Sequence, residues 1–257
     1  MSHSPAVVAL ALTTALAVGI FVLRPAVFAY SRPDEEPVPD VTCPDCGTAL
    51  LGKSAVRGAY RALVLGRRCA ACGSTGPDGA RRRLGPAPLV PEGIAVLGTA
   101  VMLAAGAGGA VLAAQLWLVA IAAVLVPVDV DVHRLPDHLT AAAVIGVGVL
   151  LTADAFASER WGTLLLATVA ACGIGVLYYV VALLGQGLGD AKVVPALAAL
   201  VTWQHWFGWF YAVILASVLG VVQWMAMKVF FSVDRKTELA LGPSLIAGFL
   251  AVSALLG

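Results

Sequence analysis

From Gly93 to Val128 the chain runs for 36 residues with nothing more polar than Thr99 and Gln115. The hydrocarbon core of a bilayer is about 30 Å thick and takes about 20 apolar residues to cross as a helix, which bonds its own backbone where water is absent. The run is therefore too long for one crossing and about right for two, with a turn between "GAGG" and Gln115. Composition agrees: 60% of the 257 residues are hydrophobic and 12% charged, whereas a soluble domain carries roughly 25% charged residues. A soluble globular domain is excluded. The net charge of +1 decides nothing, because in such chains the placement of charge matters more than its sum.

Other segments extend the pattern. Ala6 to Tyr30 has the length of a signal peptide, but "MSHSP" lacks a positive leading region and Arg24 follows the apolar core, so a retained first span is expected. The long run supplies spans two and three. Leu139 to Phe156 and Trp161 to Leu184, parted by the polar "ASER", are spans four and five, and Phe207 to Phe231, after a Trp-rich patch suited to a membrane interface, is span seven. Ala191 to Trp203 has only 13 residues, about 20 Å as a helix, and as a sixth span it needs bilayer thinning or shielding by protein. Leu241 to Leu256 is the eighth. The expected fold is an all-α polytopic membrane protein of about eight transmembrane helices.

Basic residues orient it. Eight spans place segments 31–92, 129–138, 185–192 and 228–240 on one side, and these hold nine, one, one and three Lys or Arg, which is 14 of the 16 in the chain. Arg24 lies towards the same end of span one, and only Arg160 falls in an opposite loop. By the positive-inside rule the basic side is cytoplasmic and both termini lie outside.

Segment 31–92 is the one long polar insertion and holds four of the five cysteines. Cys43 and Cys46 form one C-x-x-C pair and Cys69 and Cys72 another, with 22 residues between, slightly more than the usual spacer. Two such knuckles present four thiolates to one tetrahedral zinc, and a segment this small has no other way to build a core. Disulfides are the competing reading, which a reducing cytoplasm disfavours. A catalytic zinc is disfavoured because four thiolates leave no open coordination position. Cys172 reads as a small packing residue inside span five. The chain thus divides into a first helix (1–30), a cytoplasmic four-cysteine zinc segment (31–92) and a seven-helix membrane domain (93–257).

Two carboxylates stand at one depth. The stretch "PVDVDVHRLPDHLT" follows span three and "LLGQGLGDAKVV" follows span five, so Asp129 and Asp190, 61 residues apart, both fall at the cytoplasmic edge. A charge at a span end costs far less than one at the bilayer centre, so neither demands a function by itself. Asp190 could cap the sixth helix, Asp137 is suited to begin span four after Pro136, and Asp131 and His133 read as solvated loop residues. Gly187-Leu188-Gly189-Asp190 carries more: two glycines clear side chains from beside the carboxylate, so that another helix end or an extended peptide can approach.

Taken with D-x-D-x-x-x-L-P-D two spans earlier, this arrangement resembles the prepilin leader peptidases, bacterial members of the GxGD intramembrane aspartyl proteases. The resemblance covers nearly the whole chain: an N-terminal span, paired C-x-x-C knuckles, an aspartate seven residues before Pro136, "GLGDAKV", and "PLVPE" at the start of span two with Glu92 in its usual place. It implies that Asp129 and Asp190 are the catalytic pair, with Asp131 and Asp137 as second choices. It also implies a prepilin or pseudopilin precursor as substrate, cut between a short basic cytoplasmic leader and an apolar helix, with no nucleic-acid partner. The sequence departs from bifunctional members at the end of span one, where "VGIFVLRPAVFAYSRPDE" replaces Gly-Ser-x-Leu-Asn leading to Arg-x-Pro. N-methylation of the product, and with it S-adenosylmethionine as a cofactor, is left open by that departure.

Two carboxylates sharing a proton can activate water with the ionised group and protonate the carbonyl or leaving amine with the neutral one. Asp129 ends an inward-running helix, whose negative end favours the acid; Asp190 begins an outward-running one, whose positive end favours the carboxylate. Asp190 is then expected as the base. Two other readings compete: a Mg²⁺-dependent membrane transferase using Asp129, Asp131, Asp137 and His133, and a non-enzymatic scaffold or transporter whose zinc knuckle docks a partner. The first leaves G-x-G-D unexplained, and the second fits poorly with carboxylates at span ends and no internal repeat.

Overall fold

The computed structural model of the chain describes residues 4–30, 43, 46, 48, 89–132, 135–183, 188–231 and 241–257, and these are helical apart from short connections and the isolated residues near Cys43. The first helix is built from α1 (Pro5–Val18), one π-helical turn (Gly19–Leu23) and α2 (Arg24–Tyr30). In the wide turn the Arg24 N–H donates to the carbonyl of Gly19, five residues back. Then follow α3 (Val90–Ala105), α4 (Gly109–Val132), α5 (Asp137–Ser158), α6 (Trp161–Leu183), α7 (Leu188–Gln204), α8 (Gly208–Phe231) and α9 (Gly242–Leu256). The expected turn in the long apolar run falls at Gly106–Gly108, where Gly106 ends α3 at φ 81°, a conformation that favours glycine.

The protein is a multi-pass helical membrane protein. Five helices among the described residues are long and apolar enough to cross a bilayer: Pro5–Val27, Gly109–Asp131, Asp137–Ser158, Trp161–Leu183 and Gly208–Val229. The other three of the expected eight are short, with α3, α7 and α9 spanning 16, 17 and 15 residues. At about 1.5 Å per residue each falls several ångströms below the hydrocarbon thickness. Of the three, α7 is enclosed by protein: Val193, Val194, Leu197, Ala198, Leu200, Val201 and Trp203 are all at most 2% exposed. A helix apolar on all sides is stable at the centre of a bundle, and α7 packs against α5, α6, α8 and α9.

A second, smaller core joins the first helix to α3 and α4 through Leu23, Val27, Ala95, Ala123, Val124 and Val128. Small residues set the close crossings. A Cβ on Gly98 would stand 2.6 Å from Val119 Cγ1, and one on Gly248 would stand 2.6 Å from the Ala216 backbone, the close approach that brings dispersion contact between helices in lipid. Gln115, the polar interruption of the long run, donates through Nε2 to Ser253 Oγ at 3.0 Å, and Ser253 Oγ donates to Gln204 Oε1 at 2.9 Å. This ties α4, α9 and α7 together at the end of the bundle opposite the aspartates. Cys172 does not pack as expected: it is exposed on the outer side of α6.

Candidate active site

Asp129 sits in the last turn of α4 and is 7% exposed. Asp190 occupies the first turn of α7, which begins at Leu188, so it lies inside the helix and not at its cap. The two meet at a third helix end. A Cβ built on Gly242, the first residue of α9, would stand 2.6 Å from Asp129 Oδ2 and 3.5 Å from Asp190 Oδ1. Both carboxylates therefore converge on one point that only a residue without a side chain leaves open. The expected result for Gly242→Ala is a loss of activity of about 10²-fold, because displacing a reacting group by about 1 Å costs that much. Thermal stability of the variant, measured alongside, should fall far less.

The two sequence motifs are joined in space as well. A Cβ on Gly189 would meet Leu135 Cβ at 3.2 Å, so this glycine lets the start of α7 lie against the Leu135-Pro136 link that precedes α5. The helix-end expectation for the glycines of "GLGD" holds at Gly189; Gly187 lies outside the described residues.

Asp190 stands at the start of α7, ahead of that helix's apolar stretch. Two like charges that converge on one point cannot both ionise freely, so a proton is held by the pair, which titrates in coupled steps.

The accompanying acids are elsewhere. Asp131 is exposed near the end of α4, which continues to Val132, so it is helical and not in a loop. Asp137 begins α5 after Pro136, as expected, and its carboxylate pairs with Lys192 of "GLGDAKV". Both side chains are largely exposed, and the pair contributes little to stability. His133 lies outside the described residues, and among those described no three metal-ligating side chains come together. The arrangement expected for a Mg²⁺ transferase is thus not assembled by Asp129, Asp131 and Asp137.

Residues 113–225, which include both converging aspartates, match the sequence profile of the type IV leader peptidase family. That segment, 113 of the 257 residues, is similar to the family's sequences. The matched region starts in α4 and ends in α8, so it leaves out the first helix, the four cysteines of the C-x-x-C pairs and Gly242. No curated protein and no solved structure matches the chain.

Sequence reasoning missed two features around the leader-peptidase segment. Gly242 carried a weak signal, a glycine before a proline where the last helix starts. The other is a buried ion pair. Arg24 Nε donates to Glu92 Oε1 at 2.7 Å and Arg24 Nη2 to Glu92 Oε2 at 2.8 Å, with the two residues 3% and 2% exposed. Arg24 is therefore enclosed by the bundle instead of flanking it. Gly19 makes room for the pair, since a Cβ there would stand 3.1 Å from Glu92 Cα.

Of the four cysteines, Cys43 and Cys46 are described, and Cys69 and Cys72 lie outside the described residues. The Cys43 N–H donates to the Thr48 carbonyl at 2.8 Å. That bond holds the backbones of Cys43 and Thr48 together on either side of Cys46, a closeness that suits two thiolates facing one ion.

Proposed function

We propose that the chain is an aspartyl endopeptidase that removes the short basic leader of type IV prepilin-like precursors at the cytoplasmic face of the cell membrane. The observation that carries this reading is the convergence of Asp129 and Asp190 at Gly242, inside a segment that matches a peptidase family. One carboxylate, ionised, takes a proton from water as the water oxygen bonds to the scissile carbonyl carbon. The other, neutral, gives its proton to the carbonyl oxygen. Collapse of the tetrahedral intermediate then breaks the C–N bond, and the amine leaves with a proton returned by the pair. The basic segments 31–92, 129–138, 185–192 and 228–240 support the cytoplasmic placement, and the short α3, α7 and α9 complete eight crossings in this reading.

Structural zinc on Cys43, Cys46, Cys69 and Cys72 is part of the proposal, and the bond between Cys43 and Thr48 fits it. The ion would hold the cytoplasmic segment together and takes no part in peptide cleavage. One zinc per purified chain is expected by elemental analysis, reduced to a small fraction in Cys69→Ser. Chelation that removes the ion should lower thermal stability while magnesium chelation changes nothing. The departure at the end of the first helix leaves methyl transfer and an S-adenosylmethionine site without a supporting motif.

The test is co-expression with each candidate precursor from the same genome, whether of a pilus, a secretion pseudopilus or a competence filament, reading leader loss as a size shift. One precursor or more should be shortened. If none is, with the chain present in the membrane, the proposal fails.

A further inference from the structure

Among the described residues two mostly apolar grooves open on the outside of the bundle, and one of these has an aspartate of the pair in its wall. The larger, of about 680 Å³, lies between α5 and α6 over α7, and its polar end is Lys192, already paired with Asp137. The other, of about 570 Å³, lies between α6 and α8 over the start of α9, and Asp190 forms part of its wall. From the structure we infer that this second groove seats the apolar helix of the substrate during cleavage. The inference rests on the leader-peptidase reading and specifies how that substrate is held.

Three observations support it. First, α8 turns one face to the groove: Val213, Ser217, Gly220 and Trp224 recur at helical spacing, over about 16 Å of helix at 1.5 Å per residue. Leu177 and Val181 of α6 form the opposite wall. The wall is thus as long as half a bilayer crossing and is mostly apolar, with Tyr178, Asp190, Ser217 and Ser244 as its polar side chains, which fits a hydrophobic helix whose cut end lies at the carboxylate. Second, Gly220 lies at the level of the aspartates, as a Cβ there would stand 3.6 Å from Leu241 Cδ2, beside Gly242. The groove therefore runs from Asp190 along α8 towards the middle of that helix, the direction in which the precursor's helix continues from the scissile bond. Third, Lys228 Nζ lies 5.0 Å from the Trp224 ring, an aromatic and cationic pairing that marks the headgroup level at the mouth of the groove. A helix has a cross-section of about 10–12 Å, so the enclosed volume takes about one turn of it next to the dyad, with the remainder lying along the α8 face.

The experiment uses the full-length chain in membranes with a precursor that it cleaves. A cysteine is placed in the precursor's apolar helix one to two turns beyond the cut, and Ser217→Cys or Val221→Cys, both exposed on α8, supplies the partner. The native Cys172, which lines the other groove, is the internal comparison. Disulfide crosslinking through residue 217 or 221, and at least a tenfold rise in KM for Ser217→Trp with Gly148→Trp within twofold of wild type, is expected. Crosslinking through Cys172, or cleavage that persists with neither crosslink nor any effect of Ser217→Trp, overturns the groove assignment while leaving the peptidase reading intact. Failure of the wild-type chain to cleave any precursor overturns both.

Discussion

Asp129→Asn and Asp190→Asn should each reduce precursor cleavage by about 10³-fold or more, with unchanged amounts of protein in the membrane. Asparagine keeps the shape of either side chain but can neither accept the proton of water nor supply one to the carbonyl, and a single positioned acid or base contributes about 10²–10⁴-fold. Because the two groups act as a unit, the double variant should be scarcely worse than either single one. Cleavage retained within tenfold in either variant would remove that residue from the chemistry. Thermal melting of both variants in detergent, close to that of wild type, separates lost chemistry from lost fold.

Glu92→Gln is expected to cost about 3–5 kcal/mol of stability, the usual penalty for leaving one member of a buried pair without its counter-charge. The glutamine retains a carbonyl oxygen for Arg24 but not the second charged oxygen that completes the two-bond contact. The damage should reach the active site, because Val27, three residues beyond Arg24, shares a core with Val128, the neighbour of Asp129. Replacing both members by methionine should recover most of the loss, since apolar side chains of similar volume avoid the desolvation that the pair incurs. Denaturant titration in detergent measures both variants. A Glu92→Gln protein as stable as wild type would mean that the pair is solvated and not enclosed.

Much of the membrane organisation was legible in the sequence. Span positions follow from the length of apolar runs, since a bilayer admits few structures and the helix rise converts residues to depth. The turns at Gly106–Gly108 and Ser158–Trp161 and the start of α5 at Asp137 fall within a few residues of expectation. The shared depth of Asp129 and Asp190 followed from the same counting. Depth, however, is one coordinate. The helices here are apolar on nearly every face, so their sequences carry little of the amphipathic signal that tells a soluble helix which side turns inward. Neighbours in lipid are chosen by small residues and by polar groups finding partners, and those matches are visible only once the chain is folded. Tertiary structure alone decided that Gly242 completes the carboxylate site, that Asp137 is taken up by Lys192, that Arg24 is buried against Glu92, and that the groove between α6 and α8 ends at Asp190.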